Sequence, residues 1–173
     1  MITRLKSDRN PNFFFLNYDA RLMEVINFLV IPKHFFVPEI IEKRKPLALT
    51  ARRAGWVGCN ILLESIPLSG RIFFIKKRIV EPKTKVLSAW KNTSFLRDEK
   101  EPTTKGWLMD VMKCIDAFGH HEFSLDEAYA FEEVLSQKHP ENRHIKDKIR
   151  QKLQVLRDNG YIEFVGRGRY RRT

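Results

Sequence analysis

Basic residues are concentrated in the last 32 residues of the sequence, where ten Lys and Arg stand against three Asp and Glu. Ammonium and guanidinium groups bind phosphate oxygens, and arginine also hydrogen-bonds the major-groove edge of guanine. This stretch therefore has the chemistry of a polyanion-binding surface, although a basic helix face can also be simply solvated. The candidate contact residues are Arg143, His144, Lys146, Arg150 and Lys152 in one helical pattern, and Arg167, Arg169, Arg171 and Arg172 around two glycines. For His144 a surface or helix-capping role is the alternative.

A second group of candidates lies in the first half, in the run Thr50-Ala-Arg-Arg-Ala-Gly-Trp-Val-Gly58. Two arginines beside a glycine-flanked tryptophan could clamp a phosphate backbone and set an aromatic ring against a base or a methyl group. Tryptophans are also highly buried on average, so Trp56 could instead pack in the core. Spacing alone does not decide between these roles for Arg52, Arg53 and Trp56.

Residues with metal-binding chemistry are few. His120 and His121 precede Glu122, but no further ligand follows at a usable spacing. Cys59 and Cys114 are too few for a disulfide framework or a four-cysteine zinc site. The sequence also has no glycine-rich phosphate loop and no Ser/His/Asp arrangement. We therefore expect no metal ligand set.

Composition limits the class of protein. The 173 residues are 43% hydrophobic and 31% charged, as in ordinary soluble globular proteins. The net charge of +11 favours a polyanionic partner, with nucleic acid first, although ribosomal and membrane-surface proteins share such a surplus. No apolar run approaches the roughly 18 residues of a membrane span, and the N-terminus lacks a signal-peptide core. We expect no membrane association and a reducing, cytoplasmic location.

The elements that must position these residues fall into two groups. Short apolar runs rich in aromatic and β-branched residues predict buried strands in the first half. Together with two brief helices they form an incomplete α/β layer. A charged, proline-containing stretch then predicts a linker. The predicted ranges are strands 13–16, 25–31 and 71–75, helices 38–45 and 83–92, and linker 97–104.

After the linker the pattern predicts three helices and a hairpin. A helix over 105–118 is followed by a short extended link at 122–124. Ser124 and Glu127 then form a capping box for a second helix that ends before Pro140. Asn142 is predicted to cap a third helix, which Asn159-Gly160 ends. Its apolar stripe is Ile145, Ile149, Leu153 and Leu156. The hairpin strands are 161–165 and 169–172.

Three helices followed by a hairpin is the order of a winged helix. Residues 105–141 carry a net charge of −5 and residues 142–173 a net charge of +7, so the third helix and the wing form the positive side. In winged-helix proteins this helix enters the major groove and the wing lies along the backbone. We therefore predict binding to double-stranded DNA; a protein-binding winged helix is the alternative.

Several long segments of the sequence resemble the methyl-directed restriction endonucleases of the DpnI type, also called Dam-replacing proteins. The matching words are Asn10-Pro-Asn-Phe-Phe-Phe-Leu16, Asn27-Phe-Leu-Val-Ile-Pro-Lys33, Arg44-Lys-Pro-Leu47, Thr50-Ala-Arg-Arg-Ala-Gly-Trp-Val-Gly-Cys-Asn60, Gly70-Arg-Ile-Phe73, the segment 144–157 and Ile162-Glu-Phe-Val-Gly-Arg-Gly-Arg-Tyr170. The resemblance covers essentially the whole chain. It implies a PD-(D/E)xK nuclease domain followed by a winged helix, and magnesium-dependent cleavage of GATC sites with N6-methyladenine. It also implies a base or methyl contact for Trp56.

The sequence departs from the family in its catalytic residues. In the family, the catalytic Asp and Glu-x-Lys and a four-cysteine zinc motif precede the Asn-Pro-Asn-Phe-Phe-Phe word, and only nine residues do so here. Glu81-Pro-Lys83 has the right spacing but contains a proline and lacks a preceding Pro-Asp. Glu99-Lys-Glu101 ends in the wrong residue type. Neither can be expected to hold the magnesium ion that activates water, so we expect no catalytic residue, and neither magnesium nor zinc in this chain.

The sequence therefore predicts a truncated, inactive endonuclease that still binds methylated GATC DNA. Its fold class is a partial PD-(D/E)xK restriction-endonuclease-like α/β sheet plus a C-terminal winged-helix domain. The expected domains are 1–96 and 105–173, joined by the linker 97–104, in a monomer. Two alternatives stay open: a non-catalytic winged-helix regulator, and one half of a split endonuclease whose N-terminal half is separately encoded.

Overall fold

The computed structural model describes residues 11–173, so the first ten residues of the predicted first domain lie outside the described part. The first half contains an antiparallel four-stranded sheet in the order β1-β2-β5-β6 and a separate two-stranded β3-β4 ladder. The strands are β1 (Phe13–Asp19), β2 (Glu24–Ile31), β3 (Ile41–Lys43), β4 (Cys59–Ile61), β5 (Ile72–Lys76) and β6 (Ile79–Val80). The three predicted strands are confirmed as β1, β2 and β5, and the chain is a mixed α/β protein.

The turn between β1 and β2 is held by a side chain. Asp19 Oδ1 accepts hydrogen bonds from the backbone N–H groups of Arg21 and Leu22, at 3.0 and 3.2 Å. Met23 then takes a φ of 53° before β2 begins. The pairing runs from Phe13 opposite Ile31, with a bulge at Asn17. A short polar side chain that binds its own backbone is a common way to reverse the chain.

The predicted helix over 38–45 is wrong. The structure has a single 3-10 turn at Pro38–Ile40, followed by β3, which pairs with β4 from Ile41 opposite Ile61 to Lys43 opposite Cys59. The expected helix was a weak local preference. The β-branched Ile40 and Ile41 favour extended structure because their χ1 angles are restricted, and pairing with a distant strand overrides the local preference. This pairing defines the loop 44–58, which carries the Arg-Arg-Ala-Gly-Trp sequence.

The helix α1 (Lys83–Asn92) confirms the predicted range 83–92. The next helix, α2 (Pro102–Ala117), begins three residues earlier than predicted. Pro102 occupies its first turn, and the carboxylate of Glu101 accepts a hydrogen bond from the N–H of Thr104 at 2.6 Å. Proline is favoured in a first helical turn because its missing N–H would be unpaired there. The predicted linker 97–104 therefore contains the first turn of α2.

The second half confirms the predicted order of helices and hairpin. The predicted capping box is present: Ser124 Oγ accepts from the N–H of Glu127, whose carboxylate accepts from the N–H of Ser124. The predicted second helix is divided in two at Ala130 and Phe131. The elements are β7 (Glu122–Ser124), α3 (Leu125–Tyr129), α4 (Glu132–Lys138), α5 (Ile145–Asp158), β8 (Ile162–Gly166) and β9 (Arg169–Arg172), with a three-stranded sheet in the order β7-β9-β8.

One hydrophobic core runs through both halves, from Phe35 to Leu96, Met112 and Leu153, all fully buried. Polar contacts join the halves as well. The N–H of Leu68 donates to Asp116 Oδ2 at 2.7 Å, and the hydroxyl of Tyr161 donates to Ser69 Oγ at 3.0 Å. The second half is therefore held in a fixed position on the first by packing and hydrogen bonds.

Across residues 11–173, none of the helices is long and apolar enough to cross a membrane.

Candidate nucleic-acid interface

The helix α5 places its apolar stripe in the core and its other side chains outside. Ile149, Leu153 and Leu156 are at most 1% exposed. The helix begins at Ile145, with His144 at the N-cap position; Asn142 does not cap it but accepts the N–H of His144 on its Oδ1, at 2.8 Å. This corrects the predicted cap. The helix is held firmly along one side, so its outer side is a defined surface.

The basic residues at α5 differ in whether their side chains already have a partner within the protein. The side chains of Arg143 and Arg150 are exposed and make no hydrogen bond or ion pair with any described residue. Lys146 forms an ion pair with Glu132 at 3.2 Å and lies over the Tyr129 ring. The two arginines therefore offer unpaired charge to a partner, whereas the charge of Lys146 is already paired.

The prediction that Lys152 lies outside the apolar stripe is wrong. Lys152 is 3% exposed, and burial, followed by the neighbouring charge of Lys148, lowers the pKa of its ammonium group. The spacing contained the signal, because Lys152 follows Ile149 by three residues and precedes Leu156 by four, which places it on the buried face. Lys152 therefore serves packing and not DNA contact.

Sequence reasoning missed two side chains on the outer face of α5. Gln151 and Gln154 are exposed, stand three residues apart and make no side-chain hydrogen bond within the described chain. Amide side chains at i and i+3 share a helix face, and amides are used to bind base edges in the major groove. The signal was available, since both positions lie opposite the apolar stripe.

The wing has two paired and two unpaired arginines. The Arg171 guanidinium binds Glu122 at 2.7 Å and that of Arg172 donates to the carbonyl of His120 at 3.1 Å. The side chains of Arg167 and Arg169 are exposed at the turn, where Gly168 has a φ of 68°, and form no hydrogen bond or ion pair with the described residues. The turn therefore presents two unpaired guanidinium groups next to each other.

The loop 44–58 extends the β3-β4 ladder by backbone hydrogen bonds and then turns at Gly55, whose φ is 76°. Leu47 and Trp56 are joined by an N–H to carbonyl bond of 2.9 Å. Trp56 is 54% exposed, so the core role is excluded. Its ring packs on Gly58, where a Cβ would stand 2.9 Å from a ring carbon.

The two arginines of this loop point to no internal partner. The side chains of Arg52 and Arg53 are exposed and form no hydrogen bond or ion pair with the described residues. With Trp56 they give the loop two unpaired cations and a half-exposed aromatic ring. Guanidinium groups bind phosphates, and an exposed indole face can stack on a base or contact a methyl group.

The carboxylates and histidines considered as metal ligands have other partners. Glu81 pairs with Lys85 at 2.8 Å, Glu101 caps α2, and His120 Nε2 lies 2.9 Å from a Glu127 oxygen. Within residues 11–173 no three His, Cys, Asp or Glu residues are grouped so that they could hold a metal ion. The described residues do not fit a magnesium or zinc site.

Two family models match the chain. The Dam-replacing family, DpnI, matches residues 1–99. The Dam-replacing HTH domain, DpnI_C, matches residues 103–172, which include α5 and the wing. Together these matches support a DNA-binding, restriction-related role. Because the first match covers more than half of the sequence and the second most of the rest, the chain belongs to the Dam-replacing family, with a C-terminal helix-turn-helix domain.

Proposed function

We propose that this protein binds duplex DNA at GATC sites whose adenines carry N6-methyl groups. The observation that carries the proposal is a set of six exposed arginines without internal ion pairs, on three elements of the described chain. They are Arg143 and Arg150 at α5, Arg167 and Arg169 on the wing, and Arg52 and Arg53 on the loop 44–58. Exposed arginines without carboxylate partners are suited to phosphates and guanine edges.

In this proposal α5 enters the major groove. Gln151 and Gln154 meet base edges, and Arg143 and Arg150 meet the phosphate backbone. Arg167 and Arg169 on the wing bind phosphates, where Gly168 allows a close approach. Such phosphate contacts fix the register of the duplex and carry no sequence information themselves.

The loop 44–58 supplies the preference for methylated adenine. Trp56 has an exposed indole face, and an N6-methyl group is an apolar feature of the major groove that an aromatic ring can cover. Arg52 and Arg53 hold the adjacent backbone. Direct contacts with a base typically give roughly 1–3 kcal/mol of discrimination, or about tenfold to a hundredfold. The resemblance to methyl-directed enzymes supports this assignment of Trp56.

The chemical step is outside this proposal. Glu81-Pro-Lys83 has the Glu-x-Lys spacing but contains a proline and lacks a preceding Pro-Asp, and the described carboxylates are not grouped for a metal. We expect the 173-residue polypeptide to leave methylated duplexes intact in the presence of magnesium. Cleavage of methylated plasmid by the purified chain would contradict this.

The proposal is tested by measuring the affinity for methylated and unmethylated GATC duplexes over a range of salt concentrations. Arg150→Ala and Arg169→Ala should weaken binding to both duplexes and reduce the salt slope by roughly one unit each. Trp56→Ala should reduce the preference for the methylated duplex while keeping the salt slope. Arg21→Ala, an exposed arginine in the β1-β2 turn, is the matched control.

Two results would overturn the proposal. Unchanged salt slopes in both arginine variants would indicate a protein-binding winged helix. Equal affinity of the native chain for the two duplexes would leave a DNA-binding regulator without methyl preference.

A further inference from the structure

A cleft of about 610 Å³ lies between the first turn of α2 and the start of α5. Thr103 lines it from α2, Arg143 and His144 from the segment before α5, and Lys148 from the first turns of α5. The cleft therefore joins the helix proposed to enter the major groove to a helix with no assigned role in binding.

One wall of the cleft is rigid. The rings of Trp107 and His139 stack with centroids 3.8 Å apart. Asp110 binds His139 Nε2 at 2.9 Å and also pairs with the ammonium of Lys138. Asp110 therefore neutralises the cation on this wall and fixes its orientation.

The charge on the opposite wall is not neutralised. Arg143 and Lys148 form no ion pair with the described residues, and Glu141 is the one carboxylate on the cleft lining that the structure describes. Lys148 also stands one turn from Lys152, and its charge contributes to the lowered pKa of the Lys152 ammonium group. Two unpaired cations on one cleft are suited to bind an anion.

We propose that this cleft holds a phosphate of the DNA backbone. The Arg143 guanidinium and the Lys148 ammonium provide the charge that binds it, and Thr103 lines the cleft on the α2 side. The inference rests on the proposed DNA binding and adds α2 to the contact surface. A free phosphate ion has the same chemistry, but the backbone is the source expected here because Lys148 shares a face of α5 with the exposed Gln151, three residues later, which is proposed to meet base edges.

The first arm of the test is the salt dependence of binding. Each of Lys148→Gln and Arg143→Gln should reduce the salt slope for methylated and unmethylated duplexes by about 0.9 units, the value for one phosphate contact. Lys83→Gln, on α1 outside the cleft, is the matched control. Circular dichroism and thermal unfolding check that all variants keep the native fold. Unchanged slopes in folded cleft variants would overturn the inference.

The second arm identifies the phosphate. In duplexes with a single neutral methylphosphonate linkage, the native chain should lose about tenfold in affinity at one linkage or at a symmetry-related pair. That loss should disappear in Lys148→Gln and remain in Lys83→Gln. Equal losses in both variants at every linkage would exclude a backbone phosphate in this cleft.

The third arm concerns a free phosphate ion. If inorganic phosphate shifts the NMR amide signals of Thr103 and Lys148 in the native chain, and no linkage depends on Lys148, the cleft takes free phosphate and the inference is wrong. Failure of the proposed DNA binding would give a different result. The native chain itself would then not bind duplexes, or would not prefer methylated ones.

Discussion

The two halves of the molecule differ in how many large hydrophobic side chains they leave exposed. Of the seventeen large hydrophobic side chains exposed in the described part, fourteen lie between Phe14 and Leu87, and three lie in the second half. The second half surrounds its core with α2, α5 and the β7-β9-β8 sheet. The first half has a four-stranded sheet with exposed aromatic and aliphatic side chains on β1 and β6.

This difference shows which side chains contribute to the folding free energy of each half. The buried residues of the first half, such as Phe35 and Leu96, belong to the core that continues into α2 and α5. Exposed apolar side chains such as those of Phe14 and Leu16 add little to folding, since area that stays in water gives no transfer free energy. The buried side chains of the first half therefore share one core with the second half, whereas its exposed ones contribute little.

The largest expected effect on the free energy of unfolding comes from a Leu→Ala substitution in the second half, compared with the same substitution in the first half. Leu153→Ala removes a fully buried side chain from α5 and should lower the free energy of unfolding by about 2–5 kcal/mol. Leu16→Ala, at a position 57% exposed on β1, should cost less than about 1 kcal/mol. Denaturant titration measures both. An equal loss for Leu16→Ala would mean that the β1 face is covered in solution.

The next effect is a pH dependence that originates in the first half. His34 is 6% exposed, and burial, followed by the charges of Lys105, Arg97 and Lys33, lowers its pKa to about 4 from an ordinary value of 6.5. Between these two values the unfolded chain binds a proton that the folded chain does not. The stability contribution should therefore be complete above pH 6.5 and fall with decreasing pH, by about 3 kcal/mol at pH 4.

His34→Gln provides the comparison for this pH dependence. In the variant, the fall in unfolding free energy between pH 6.5 and 4 should be smaller than in the native chain, as measured by denaturant titration at several pH values. Parallel curves for the two proteins would show that other groups cause the pH dependence.

The smallest expected effect concerns the contact between the halves. Tyr161→Phe and Ser69→Ala each remove one side of the 3.0 Å hydroxyl hydrogen bond. Their coupling free energy in a double-mutant cycle should be about 0.5–1.5 kcal/mol. A coupling of zero would indicate that the two halves are not held together at this point in solution.

Local signals allowed much of the fold to be predicted. The helix over 83–92, the Ser124–Glu127 capping box and the end of α5 at Asn159-Gly160 are all determined by residues within a few positions of each other. Capping and helix periodicity act over a turn or two, so the sequence contains them completely. The predicted helix over 38–45 failed because β3 is formed by pairing with β4, about eighteen residues away.

The sequence determined where the basic residues are concentrated, but it did not determine which of them are free to bind a partner. Counting cations placed a positive region at α5 and the wing. It could not show that Lys146 is paired with Glu132, that Arg171 is paired with Glu122, or that Lys152 is buried.

The sequence by itself determined the order of helices and strands, the separation of charge within the second half and the segment around Trp56 that resembles the family. Only the tertiary structure decided that Trp56 is exposed, which arginines stay unpaired, and that Thr103 and Lys148 line one cleft. The physical reason is the range of the interactions involved. Caps and apolar stripes form between near neighbours in the chain, whereas burial and ion pairing depend on which distant residues the fold brings within a few ångströms.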